Sequence, residues 1–316
     1  MNMLTTLKNS YFSEIVPKGW DMERVARCVS NPPESIEERQ AFWNPGFTPV
    51  SCDSVESFNV LMGHEIAMQI RQARDEGREL ILILPVGPMG MYRWAVYFLK
   101  EWGVSCSHVH GFNMDEWADE NGDTLAADDP AAFTNAMLGA FYGPLGELTV
   151  PDAQRNFATK ENLPRYPEKL AALRAKGAKQ VMVYGIGRMC HIAFWEPHFA
   201  DEFATVEEWK KQPYRLGARL HPFTIEQNAI TSFRSSWPLI PCFANTIGPA
   251  IIFASDYCIG GADGVFDRGM QWQGQSLWMT LRYGPDKAVT SSFIPTMPGK
   301  LFYLEGLAGP LCADTN

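Results

Sequence analysis

Two stretches of this chain combine residue types that can move protons. In residues 181–197 an apolar run ends at Gly185-Ile186-Gly187-Arg188, and His191 and Glu196 follow five residues apart. A histidine titrates near neutrality and can pass a proton to or from a substrate oxygen, while a carboxylate beside it holds its tautomer. A satisfied structural histidine over a helix start is the alternative. In residues 109–117 a short apolar lead and Gly111 precede the adjacent carboxylates Asp115 and Glu116. A carboxylate at a desolvated strand end has a raised pKa and can take a proton from carbon. A solvated loop is the alternative there, because acids recur at 119, 120 and 123. Neighbouring side chains of a strand face opposite sides, so one of the pair points into any given pocket.

The elements that must position these groups follow from pattern. Residues 181–184 read as a short buried strand bounded by glycine. Gly185 and Gly187 allow a tight turn and close backbone approach to a ligand. His191 and Glu196 therefore leave the carboxyl end of a strand, where open α/β sheets place their chemistry. Alone, Gly185-x-Gly187 is a weak dinucleotide signal, since the third glycine of that fingerprint would stand at Cys190. Residues 85–90, with Gly87, Pro88, Met89 and Gly90, form a ligand-facing turn between strand and helix. Backbone amides there can hold an anion, although two prolines remove donors. Trp117 and Trp195 flank the two motifs, and either can stack on a ligand. His191, His198 and His221 lack ligand-like spacing, so no metal is expected.

Along the chain, helical periodicity or start signals fall at 35–40, 54–76, 91–102, 130–140, 166–176, 205–209 and 221–233. Apolar strand patterns fall at 80–84, 104–110, from 180, 250–255 and 301–304. This β-α-β rhythm implies a parallel, helix-covered sheet. The 316 residues carry 27 basic and 36 acidic side chains, a net charge of −9, with no basic tract. That argues against nucleic acid or an anionic membrane surface as the main partner. Seven cysteines at irregular spacing suit reduced thiols in a cytoplasm. Residues 1–18 lack an apolar signal-peptide core, and no apolar run nears the roughly 20 residues of a membrane span. A cytoplasmic location is expected. Residues 1–47, rich in aromatic side chains, read as an N-terminal extension that packs on its own domain or a neighbouring subunit. Residues 48–316 read as the α/β domain.

Phe112-Asn113-Met114-Asp115-Glu116 resembles the F-N-M-D-E motif of the glucosamine-6-phosphate deaminase/isomerase family. Gly185-Ile186-Gly187, followed by His191-Ile192-Ala193-Phe194-Trp195-Glu196-Pro197, resembles its G-x-G and H-I-A-F-N-E-P motifs. The two stand in the family's order, and the pattern agrees from about residue 50 to 305 of a divergent member. The resemblance implies a Rossmann-like three-layer sheet with helices on both faces, a homo-oligomer and no redox cofactor. It implies Asp115 as the base between C1 and C2, His191 as the ring-opening acid/base, and Glu196 as its partner. Substrate contacts would come from the turn at 87–90, Glu116, Gly185, Gly187 and Arg188. The activity implied is aldose–ketose proton transfer on a sugar or amino-sugar phosphate through an enol or enolamine, with ammonia released from an amino sugar. A sugar-binding sensor module and a sugar lactonase share the fold and are the alternatives. Met189, Cys190 and Trp195 stand where the family usually has Asp, Gly and Asn. The turn at 85–90 is shorter than the family's phosphate loop, and the phosphate-binding Arg and Lys have no counterparts. Arg188, Arg215, Arg219 and Arg268 are the remaining candidates for a phosphate.

Overall fold

In a computed structural model the described residues are 3–266 and 269–308. Their strands are β1 (Phe47–Cys52), β2 (Leu80–Leu84), β3 (Val109–Asn113), β4 (Asp115–Ala118), β5 (Arg155–Asn156), β6 (Lys179–Gly185), β7 (Tyr214–Arg219), β8 (Phe243–Ile247), β9 (Tyr257–Ala262) and β10 (Gly299–Leu304). Among these residues a seven-stranded sheet has the order β1-β10-β9-β6-β2-β3-β5, and all its pairings are parallel. From β2 the chain adds β3 and β5 on one side, and from β6 it adds β9 and β10 on the other. The junction between β2 and β6 is thus the switch point of an open, Rossmann-like α/β sheet flanked by helices, where a crevice opens beyond the carboxyl ends.

Local chemistry explains the central elements. β2 is buried at every residue, as a strand covered on both faces must be. The helix Val55–Asp75 starts where the Ser54 side chain accepts from the Ser57 N–H, and it ends before Gly77 at φ 64°. Its Phe58, Met62, Ile66 and Ile70 recur every fourth residue and are fully buried. Gly63 lets the helix Gly90–Glu101 come close, because a Cβ at Gly63 would lie 2.5 Å from the Met91 carbonyl oxygen.

Several expected elements take other forms. The strand expected at 104–110 is β3, displaced so that residues 109–112 of the second motif are themselves strand. Its register is set by β2, with Leu80 opposite Val109. The run at 250–255 is not a strand. Pro249 begins a single helical turn, Pro249–Ile252, since proline suits a first helical position and burial alone does not reveal period. After Pro32-Pro33 there is only the 3-10 turn Pro33–Ser35. The helix expected from Pro130 begins at Phe133, where Glu116 accepts from the backbone. β4, β8 and β7 form a separate antiparallel sheet that the pattern did not announce.

The arm lies on the same chain. Trp20 Nε1 donates to the Ala288 carbonyl at 2.7 Å, and Trp43 Nε1 to that of Leu281 at 3.1 Å. Trp20, Val25 and Cys28 share an apolar cluster with Met189, Cys190 and Met279. The arm therefore backs the turn that carries His191.

Candidate active site

The glycine turn after β6 is built around the imidazole. Gly187 N donates to the His191 carbonyl at 3.0 Å, and Cys190 N to the Gly187 carbonyl at 2.9 Å. A Cβ on Gly187 would lie 1.9 Å from His191 Nε2, so glycine is required for the ring to occupy its place. Cys190 and Ala193 adopt φ of 57° and 53°, a strained region for side-chain-bearing residues that marks functional turns. Gly185 faces the turn after β2, with Pro88 Cδ 3.4 Å from where its Cβ would be.

His191 Nδ1 lies 3.4 Å from Glu196 Oε2 and 3.3 Å from Thr224 Oγ1. The other Glu196 oxygen accepts from the His221 N–H at 3.1 Å. Burial alone would raise the Glu196 carboxyl, but the adjacent His191 charge, the nearby Thr224 side chain and the hydrogen bond from the His221 amide hold it below the usual range, although Oε2 itself has no hydrogen-bond partner among the described residues. With Nδ1 engaged, Nε2 is the nitrogen left to exchange protons. His221 in turn donates from Nε2 to the Ile15 carbonyl at 2.7 Å, and its Nδ1 accepts from the Phe223 N–H. That caps the helix Pro222–Ser232, which carries Thr224.

Asp115 opens β4 opposite Thr246 of β8. The Thr246 hydroxyl accepts from the Phe194 N–H at 2.9 Å, so one side chain ties the Asp115 strand to the His191 turn. Asp115 is 6% exposed, and its Oδ1 has no hydrogen-bond partner among the described residues. Burial, with the Glu116 charge adding to it, pushes its carboxyl well above the usual range.

Asp115 and His191 line one hollow of about 290 Å³ together with Gly87, Pro88, Gly185 and Gly187. Glu196 sits behind the imidazole, fully buried. The remaining expected contacts lie elsewhere. Glu116 points the opposite way, as strand alternation requires, and accepts from Phe133 N, Thr134 N and the Thr134 hydroxyl, each at 2.8 Å. Burial raises its carboxyl against the pull of those bonds. Met89 turns back to donate to the Gly87 carbonyl, and Gly90 packs on the Asn59 side chain. Arg188 pairs with Glu226 and lies over the Phe223 ring. Arg215 pairs with Glu202, Arg219 is exposed, and Arg268 lies outside the described residues. Trp117 and Trp195 are buried in the apolar clusters, and the aromatic rings at the hollow belong to Phe194, Phe266 and Trp272.

Three groups of residues at the hollow or bracing it escaped the sequence reading. Gln227, Asn228 and Thr231 share a helical face with Thr224, a spacing visible in the sequence once that helix is accepted. Asp263 follows Gly260-Gly261 at the end of β9, the same glycine-then-acid signature as the second motif. Thr246 carries no sequence signal. Among the described residues no group of three or more His, Cys, Asp or Glu side chains is placed to hold a metal ion. No helix among them is long and apolar enough to cross a membrane.

No protein-family profile matches the chain. It is 30% identical over 138 residues to a glucosamine-6-phosphate deaminase of Caenorhabditis elegans, covering 42% of this chain and 48% of that protein. It is 31% identical over 125 residues to a glucosamine-6-phosphate deaminase of Vibrio cholerae, covering 38% and 44%. The matched stretch thus spans about half the length of these curated relatives. Among solved structures it is similar to a monomeric glucosamine-6-phosphate deaminase of the NagB superfamily, with TM-score 0.66, 19% identity and coverage of 82% of this chain and 98% of that one. Fold and site together define a Rossmann-like α/β protein with a carboxylate and a glutamate-backed imidazole at its switch point. Within that class, the chain is similar to glucosamine-6-phosphate deaminases over about half of their length.

Proposed function

We propose that the protein is an isomerase or deaminase-like enzyme acting on a sugar or amino-sugar derivative. The observation that carries this reading is the unpartnered, desolvated Asp115 carboxyl on the same hollow as His191. An upward-shifted carboxyl is a stronger base than an ordinary one once ionised, which suits proton abstraction from carbon. His191 gives a proton to the ring oxygen and takes the anomeric hydroxyl proton in return, and the sugar opens to the aldehyde. Asp115 then takes the C2 proton while His191 returns its proton to O1, leaving an enediol or enolamine, and Asp115 delivers the carbon proton to C1 as the heteroatom on C2 gives up one of its own. With an amino group at C2 the resulting imine takes up water and releases ammonia. Glu196 holds Nδ1 and balances the imidazolium that forms.

The relatives named as glucosamine-6-phosphate deaminases support this reading. The test is NMR of candidate aldoses and amino sugars in D₂O. Deuterium should enter at C1 or C2 with the wild type and not with Asp115→Asn. Equal incorporation by the two proteins would end the proposal.

A second reading is lactone hydrolysis, with His191 Nε2 activating water. The chain shares its fold with a 6-phosphogluconolactonase of Trypanosoma cruzi, at TM-score 0.57 and 15% identity over 87% of this chain and all of that one. Acid release from a lactone panel, lost in His191→Ala but kept in Asp115→Asn, would select it.

A further inference from the structure

The polar lining of the hollow has a definite electrostatic sense. Asp115 presents its unpartnered oxygen from the end of β3 and start of β4. Asp263 enters from the end of β9, and no Lys or Arg among the described residues pairs with it. Burial raises its carboxyl too, as expected of an acid that faces the cavity and not bulk water. Across from them the helix Pro222–Ser232 offers the carboxamides of Gln227 and Asn228 and the hydroxyls of Thr231 and Ser232. Asn228 donates one Nδ2 hydrogen to the Thr224 carbonyl, which leaves its oxygen and one hydrogen for a ligand, while the Gln227 oxygen already accepts from the Arg188 N–H. Among the described residues lining the hollow, His191 is the single group able to carry positive charge.

A phosphate dianion needs charge-assisted donors, and its repulsion by carboxylates grows in a water-poor cavity. Hydroxyl and ammonium groups are served by the opposite set, carboxylates and carboxamide oxygens. The turn after β2 offers an anion no charged donor: Pro85 and Pro88 have no N–H, Met89 N is already bonded to Gly87, and only the neutral amides of Val86 and Gly87 remain at the hollow.

We infer that the hollow takes a sugar without a phosphate group, and that Asp263 accepts a hydrogen bond from one of its hydroxyl or ammonium groups. This rests on the reading that the hollow is where the sugar binds. It departs from the phosphorylated substrates after which the relatives are named.

Calorimetric titration of the full chain with glucosamine and N-acetylglucosamine, each against its 6-phosphate, tests it. The free sugar of at least one pair should bind tenfold or more tightly than its phosphate. Asp263→Asn should narrow that gap at least threefold, by admitting the phosphate, and Arg268→Ala should leave it unchanged. Equal or tighter binding of the phosphate esters overturns the inference, and loss of that binding in Arg268→Ala would identify their cationic partner. No binding by any member of the pairs, or a gap that Asp263→Asn leaves intact, also overturns it. Deuterium exchange is measured separately: a preference for free sugars with no C1 or C2 exchange would sink the proton-transfer reading and leave this one standing.

Discussion

The two strand ends that meet at the hollow bury their carboxyls almost equally, yet drive them in opposite directions. Asp115 is 6% exposed and Glu196 is 0% exposed. Asp115 is raised, because burial is joined by a like charge at Glu116 and its Oδ1 finds no partner. Glu196 is lowered, because the His191 charge, Thr224 and the His221 amide outweigh a burial that on its own would raise it. Burial raises Asp115 unopposed, whereas at Glu196 the neighbours overrule it. Two carboxyls pushed apart in this way are suited to different tasks, one as a proton acceptor and the other as a permanent anion behind an imidazole. Their links to folding stability also have opposite sign. The raised Asp115 favours the fold at low pH, and that contribution is lost as pH climbs through its folded value. The lowered Glu196 contributes above the ordinary glutamate range, and its share is lost as pH falls through its folded value.

Asp115→Asn should break the comparison most severely. Deuterium exchange at C1 or C2 should fall by about 10²–10⁴-fold, the range for loss of a general base. The variant should nevertheless be more stable than wild type at pH 7–8, by about 1.4 kcal/mol for each unit by which the carboxyl is raised. Urea titrations at several pH values should show this gain shrinking toward zero below about pH 4, where the carboxyl is protonated in folded and unfolded chains alike. A variant less stable at pH 8 than at pH 4, relative to wild type, would contradict the desolvated Asp115. In the wild type, the acid limb of the exchange rate should lie above the ordinary carboxylate range, since the base must ionise first.

Glu196→Gln comes next, with the reverse pH signature. It keeps an acceptor for the His221 amide but removes the charge beside His191. A loss of about 1.5–3 kcal/mol at pH 7, the usual worth of a hydrogen bond to a charged group, is expected. The loss should fade as pH drops below the ordinary glutamate value of about 4.3. Exchange should fall by about 10–100-fold, less than for Asp115→Asn, because the imidazole loses its orienting anion and not its own proton. A deficit that grows toward acid pH would show that the pairing with His191 is not what stabilises this carboxyl.

How far the sequence revealed this arrangement differs between the two regions. The His191 turn was legible because its cues are local: a short apolar run, two glycines, then the acid five residues on. The parallel sheet was legible for a similar reason, since β2, β6 and β10 are compact apolar runs. Asp115 was legible as a residue but not as a position. It was expected at the end of a strand of the main sheet, whereas it begins β4 in a second sheet whose partner, β8, lies far along the chain. Such pairing leaves no periodic trace. Asp263 was passed over although it directly follows a buried strand that ends in two glycines and an alanine, because an acid there looks like any loop acid until the strands converge. Met189, which stands where the family the motifs resemble usually has an acid, becomes intelligible only in three dimensions. It is buried in the cluster that the arm's Trp20 and Val25 complete, where an unpaired carboxylate would be costly.

Thr246 supplies the smallest effect and the sharpest test of how the two regions are joined. Its backbone lies opposite Asp115, and its hydroxyl accepts from Phe194 N on the His191 turn and donates to the Ile247 carbonyl. Thr246→Val keeps the β-branched shape that suits a strand but leaves the buried Phe194 N–H without its acceptor. The cost should be about 1–3 kcal/mol, the penalty for an orphaned buried donor, with no dependence on pH because neither group titrates. Asp115 and Glu196 keep their own surroundings, so the pH signatures of the two carboxyls should survive. What should change is their register across the hollow. Exchange should slow by a few-fold with the position of its acid limb unmoved, since the base is intact and only its alignment with the imidazole is relaxed. A shifted acid limb would instead mean that Thr246 governs the desolvation of Asp115. The two regions would then be one electrostatic unit, and not two environments brought into contact by a hydroxyl.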